Sequence, residues 1–172
     1  MSKAPTKISV GMALSMLDRA VKERMSARTF GRDEIAQAVA FFDPDGKGMH
    51  CLYCGGDDPT RWDHFIPVNK GGDTVLGNMV RACKSCDDSK QHKTLDEWFA
   101  SEAPKRPALM RKPIVEELIL RYQQHFGYVP REFLTKLSEN QASLYEGFRR
   151  KADELRAFLS QHGLLRASPP RG

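Results

Sequence analysis

Four cysteines, Cys51, Cys54, Cys83 and Cys86, stand in two C-x-x-C pairs with 28 residues between the pairs, and the chain has no other cysteine. Thiolates at this spacing are what a tetrahedral structural zinc ion takes, four sulfurs closing its coordination shell against water. The opening Met1-Ser-Lys-Ala-Pro-Thr-Lys7 has no apolar run before a small-residue cleavage site. No signal peptide is therefore expected, and the chain is read as cytoplasmic. Thiols stay reduced there, which disfavours disulfides; a redox dithiol is the other chemistry such pairs can perform. His50, beside Cys51, is a minor alternative zinc donor. Between the two pairs lie the neighbours Asp63 and His64, and Asp87 follows the last cysteine directly. Carboxylates are hard oxygen donors suited to Mg²⁺ or Mn²⁺.

Such residues act together only if short elements hold them. Trp62 to Val68 reads as a strand, on which successive side chains point to opposite faces, so Asp63 and His64 cannot do the same job. Pro67 and Gly71-Gly72 then impose an irregular loop. Met79 to Ala82 is a second short strand, and Lys84 onward has helical composition. Thr94-Leu-Asp-Glu97 is a capping-box sequence that opens one more short helix, with Trp98 and Phe99 inward. The order is strand, loop, strand, helix, with one cysteine pair before the first strand and the other at the helix start. Zinc would pin a unit that has too little core to hold itself.

The run Asp63-His64-x-x-Pro67, then Gly71-Gly72, then Gly77-Asn78, then Cys83-x-x-Cys86 followed by Asp87 and Lys90 resembles the HNH nuclease family. It is most similar to the zinc-containing branch, over about residues 49–99. The resemblance implies a ββα-metal core in which His64 is the general base, Asp63 binds the catalytic metal, and Asn78 braces the loop that orients His64. The family has His or Asn at the position of Asp87, which here becomes the second oxygen ligand for Mg²⁺ or Mn²⁺. His92 is a less favoured replacement, since it lies more than one helical turn further on. The reaction implied is hydrolysis of DNA phosphodiester bonds to 5′-phosphate and 3′-hydroxyl ends. Arg61, Lys70, Arg81, Lys84 and Lys90 become candidates for nucleic-acid contacts. A zinc-stapled module that binds nucleic acid without cutting it is the alternative, and a protein-interaction domain using the C-terminal helices is a third reading.

Around this core the chain reads as helical. Leu14, Leu17, Val21 and Met25 predict a helix over 9–29 with Ser9 as its cap, and Ile35, Val39 and Phe42 predict another over 32–42. Asp43-Pro-Asp-Gly46 has turn chemistry. The proline-interrupted basic stretch 103–113 reads as a connector. Ile114, Leu118 and Tyr122 predict a helix ended by Gly127. A short helix near 130–137 follows, then a long one over about 139–162 carrying Leu144, Phe148, Leu155 and Leu159 and capped by Gly163. The fold class expected is α+β, mostly helical. Its parts are an N-terminal helical segment (1–48), a zinc-stapled nuclease core (49–102), a linker with C-terminal helices (103–166) and a disordered tail (167–172). Of 172 residues, 40% are hydrophobic and 28% charged, ordinary for a globular protein. Apolar runs fall far short of the ~20 residues that span a bilayer, so no membrane partner is expected. The formal charge of +5 suits a nucleic-acid partner. Residues 51–112 nonetheless hold ten basic against nine acidic side chains, so bound cations would decide the sign there. Restriction, phage or mobile-element, and nicking enzymes all fit such a core. Cutting both strands would need two sites, and a homodimer through the C-terminal helices would supply them.

Overall fold

The computed structural model describes residues 9–57 and 59–165; the tail expected to be disordered lies outside them. The described elements are α1 (Val10–Met25), α2 (Arg32–Phe42), β1 (Arg61–His64), β2 (Met79–Ala82), α3 (Lys84–Lys90), α4 (Leu95–Phe99), α5 (Arg111–His125) and α6 (Glu139–Gln161), with single 3-10 turns at Val68–Lys70 and Leu134–Lys136. The chain is thus mostly helical α+β with one two-stranded sheet. No helix among the described residues is long and apolar enough to cross a membrane. Among the described residues two compact units form: those up to Met25 with those from Leu137 on, and those from Ser26 to Lys136.

The first unit pairs α1 with α6. Ser9 caps α1, its Oγ accepting the Met12 amide at 3.2 Å, and Ser138 caps α6 in a capping box with Gln141. Tyr145 is buried, and its hydroxyl donates to Asp18 on α1 at 2.9 Å. The inward stripe of α6 is narrower than its apolar spacing predicts. Leu144 and Leu155 are exposed, at 60% and 46%, because one neighbouring helix covers only a strip one or two side chains wide.

In the second unit β1 and β2 form an antiparallel hairpin in the register Arg61↔Ala82, Trp62↔Arg81, Asp63↔Val80 and His64↔Met79. Its inner face meets Tyr53, Trp98, Val115, Ile119 and Tyr122, all buried. The Tyr122 hydroxyl donates to the Met79 carbonyl at 3.1 Å, tying α5 to β2. The buried face of α5 is Val115-Ile119-Tyr122, while Ile114 is 45% exposed. The predicted stripe from Ile114 shares Tyr122 but starts one residue early, a rotation that period alone cannot resolve. Trp98 donates from Nε1 to Ser89 Oγ at 3.0 Å, so α4 leans on α3.

The helix expected over 9–29 stops at Met25. Residues after it run extended instead, because their backbone is claimed by a distant loop. The Thr74 amide donates to Ala27 O at 2.9 Å, and the Thr29 and Phe30 amides both donate to Thr74 O at 3.0 Å. The basic connector is ordered by packing. Arg111 donates to the Tyr53 and Leu52 carbonyls at 3.1 and 3.2 Å, and Lys112 pairs with Asp96 and Glu116. The segment expected as a helix near 130–137 supplies only the one 3-10 turn.

Candidate metal centre and catalytic loop

The two cysteine pairs arrive from different elements and converge. Cys51 and Cys54 sit in a knuckle whose turn needs Gly55 at φ +78°, where the Gly55 amide donates to Cys51 O at 2.8 Å. Cys83 is the N-cap of α3 and Cys86 lies in its first turn, so one helix start presents both sulfurs. All four Sγ atoms lie within 4.8 Å of one another, with Cys54 and Cys83 3.9 Å apart. A tetrahedron of thiolates at ~2.3 Å from a central ion has edges of about 3.8 Å, so the donor set and spacing fit a closed site for an ion such as zinc. Without an ion the thiols compete for charge. Hydrogen bonding from Cys86 pulls the Cys51 thiol down to about 4, while that same contact and burial push Cys86 up. His50 stands apart from the cluster, its Nδ1 on Asp57 at 2.8 Å.

Strand alternation separates Asp63 from His64. Asp63 points inward, 8% exposed, and its Oδ2 accepts the Tyr53 hydroxyl at 2.6 Å and the Lys90 ammonium at 2.9 Å. Lys90 itself is wholly buried, and it also donates to the His64 carbonyl at 2.8 Å. Burial pulls its pKa down, while the charges of Asp63 and Asp87 hold it up, so both carboxylates flank one ammonium.

His64 is half-buried on the opposite face, and the loop after it is tightly determined. Asn78, fully buried, accepts the Ile66 amide at 2.8 Å and donates to the carbonyls of Ile66 at 3.0 Å and Asp73 at 2.7 Å. A Cβ on Gly72 would sit 1.7 Å from Ile66 O, so only glycine fits where the loop closes on itself. The ring Nε2 of His64 is 2.8 Å from Thr74 Oγ1.

Asp87 lies one turn into α3, with its Oδ2 held by Arg61 Nη1 at 2.6 Å; the same guanidinium nitrogen reaches Asp88 at 2.9 Å. That contact raises the Arg61 pKa, and Lys84 on the far side of Asp88 lowers the Asp88 pKa. Asp63 and Asp87 are the right donor type for a hard cation, although each now holds a cationic side chain. His92 follows Gln91, whose φ of +54° turns the chain out of the helix, and it is exposed beyond the end of α3.

The five basic candidates are placed unequally. Arg61, Lys70 and Lys84 lie at the surface with acid partners, Lys70 on Glu97 at 2.6 Å. Arg81 lays its guanidinium 5.1 Å from the Trp62 ring centre, with a buried Nε lacking a hydrogen-bond partner among the described residues. Lys90 faces inward and presents nothing to solvent. Sequence reasoning missed Tyr53 and Thr74, which touch Asp63 and His64, and Lys136, which holds Asp73 at 2.5 Å. Tyr53 lies inside a C-x-x-C pair, where spacing alone drew attention to the sulfurs. Thr74 and Lys136 carry no local signal.

No curated protein and no solved structure matched the chain. A family model described as HNH endonuclease matches residues 51–101, the stretch from the first cysteine of the cluster through the end of α4.

Proposed function

We propose that the protein is a metal-dependent endonuclease that hydrolyses DNA phosphodiester bonds and leaves 5′-phosphate and 3′-hydroxyl ends. The observation that best supports this is the Asn78 clasp. A fully buried amide commits three hydrogen bonds to the loop after His64 and so fixes the backbone from which that imidazole projects. In this reading His64 takes a proton from the water that attacks phosphorus. Asp63 and Asp87 would hold one Mg²⁺ or Mn²⁺, which supplies charge stabilisation for the phosphate and the departing 3′ oxygen. Tyr53 and Lys90 keep Asp63 aimed, and Arg61 must release Asp87 or share it. The zinc-type site stays remote from the reaction and holds the knuckle against α3. Arg61, Lys70 and Lys84 are the exposed cations able to exchange their carboxylate partners for phosphates.

One observation favours the alternative of a non-cleaving nucleic-acid-binding module: Arg61 and Lys90 already supply positive charge at the two carboxylates where a cation would sit. Plasmid cleavage with Mg²⁺ or Mn²⁺ against a metal-free control, comparing wild type with His64→Ala at equal zinc content, separates the two. Nicking or linearisation by the wild type, lost by at least ~100-fold in the variant, supports the nuclease. Retained DNA binding with no cutting by either protein replaces it with the binding module.

A further inference from the structure

The His64 ring nitrogen Nε2 lies 2.8 Å from the Thr74 hydroxyl, and Thr74 is itself held from outside the segment that matches the family. Its amide donates to Ala27 O at 2.9 Å, and its carbonyl accepts the Thr29 and Phe30 amides at 3.0 Å. This makes a one-residue parallel bridge between Arg28 and Thr74. The preceding residue, Asp73, is gripped on both oxygens. Oδ1 accepts the Ala27 amide at 3.2 Å, and Oδ2 accepts Lys136 Nζ at 2.5 Å. Lys136 also donates to the Gly71 carbonyl. Two chain segments, at 27–30 and at 136, thus converge on the few residues that carry the hydroxyl. A hydroxyl fixed in this way selects an imidazole's tautomer and ring angle, because the bond made by one ring nitrogen decides the state of the other.

We infer that Thr74 is the positioning residue for His64, accepting the Nε2 proton so that Nδ1 bears the lone pair, and that residues 27–30 and Lys136 exist in this fold to hold Thr74 there. The inference rests on the nuclease reading for its kinetic consequence but not for its structural one. It makes the active loop a product of three distant parts of the chain. The cysteine-bounded segment alone would not set the base.

Thr74→Val removes the hydroxyl and keeps the branched shape, and Thr74→Ser restores a hydroxyl. The test uses the full chain, zinc-loaded, with ¹⁵N-labelled histidine, at pH 8, where an unperturbed imidazole is neutral. A hydrogen-bonded Nε2–H proton of His64 is expected in wild type and Thr74→Ser and absent in Thr74→Val. In plasmid cleavage kcat is expected to fall about 100-fold in Thr74→Val with KM within about twofold, and to recover in Thr74→Ser. Lys136→Met is expected to weaken the same proton signal and to lower kcat about tenfold, an intermediate loss for a displaced loop. An Nδ1–H tautomer in the wild type, or an unchanged His64 signal in Thr74→Val, overturns the Thr74 assignment. An unchanged signal and rate in Lys136→Met overturns the role of the outer grip. If the wild type cuts no DNA, the nuclease reading fails alone, since the Nε2–H signal still decides whether Thr74 sets the imidazole.

Discussion

Lys90→Met is the substitution whose size follows most directly from the structure. Methionine keeps most of the aliphatic length in a fully buried slot and deletes the ammonium that sits 2.9 Å from Asp63 and 2.8 Å from the His64 carbonyl. The variant leaves a nearly buried carboxylate with the Tyr53 hydroxyl and no counter-charge at its Oδ2. Stranding one partner of a buried ion pair costs about 3–5 kcal/mol, and the carbonyl left without its donor adds roughly 1 kcal/mol. The low end applies because Asp63 keeps 8% exposure and a short hydroxyl bond, so about 3–4 kcal/mol is expected. For a chain of this length each kcal/mol moves Tm by ~2–4 °C, which puts the fall at roughly 6–16 °C. Calorimetry on zinc-loaded protein measures it. The double variant Asp63→Asn/Lys90→Met removes both charges and should recover at least half of the loss, since a neutral amide can still meet Tyr53. A fall under 3 °C in the single variant, or a double variant no more stable than the single, would show that the pair is not what holds β1 to α3.

Other outcomes can be stated more briefly. Removing the metal with a competing chelator should unfold the knuckle and α3 together, read as a loss of helical circular dichroism that added zinc reverses. Because burial and neighbouring thiols raise the pKa of Cys86, zinc uptake must expel protons, so its affinity should fall as pH falls in a titration from pH 8 to 6. Gly72→Ala forces a carbon to 1.7 Å from a backbone oxygen, and a loss of about 3 kcal/mol or more in urea melts is expected, together with loss of any cleavage. Burial raises Tyr122 and Tyr128 to about 12, so stability present below their unfolded pKa of ~10 should drain away as pH climbs toward 12. Tyr122→Phe should flatten that alkaline loss, followed by tyrosinate absorbance alongside circular dichroism.

Legibility in the sequence tracked the range of the interaction. The cysteine pairs, the capping box at Thr94, the turn at Gly46 and the second short strand were readable because each is written in a few adjacent residues, whereas the strand expected over Trp62–Val68 runs only Arg61–His64 because Pro67 caps a 3-10 turn at Val68–Lys70. Elements α2 and α5 were readable from period, but the rotation of α5 was not, since Ile114 and Val115 are equal candidates until something packs on one of them. The end of α1 was misplaced because Thr74, almost fifty residues on, takes the backbone of residues 27–30. Lys90 is the sharpest case. Its composition suggested a surface cation, and only the fold shows it enclosed between Asp63, Tyr53 and the His64 carbonyl. Asp87 was legible as a carboxylate directly after the last cysteine, but its partner Arg61 lies 26 residues earlier, and nothing in the spacing pairs them.

The grip of Lys136 on Asp73 and Gly71 also orders events in time. A growing chain that has emitted its cysteine pairs and both strands still lacks the lysine that closes the loop after His64. At ~5–20 residues per second, the 34 residues from 103 to 136 take roughly 2–7 s to synthesise, and through that interval the zinc-type knuckle can form while the loop stays open on one side. A nascent chain would therefore pass through a stapled but unset stage, and the loop that carries His64 would acquire its final geometry only late in translation.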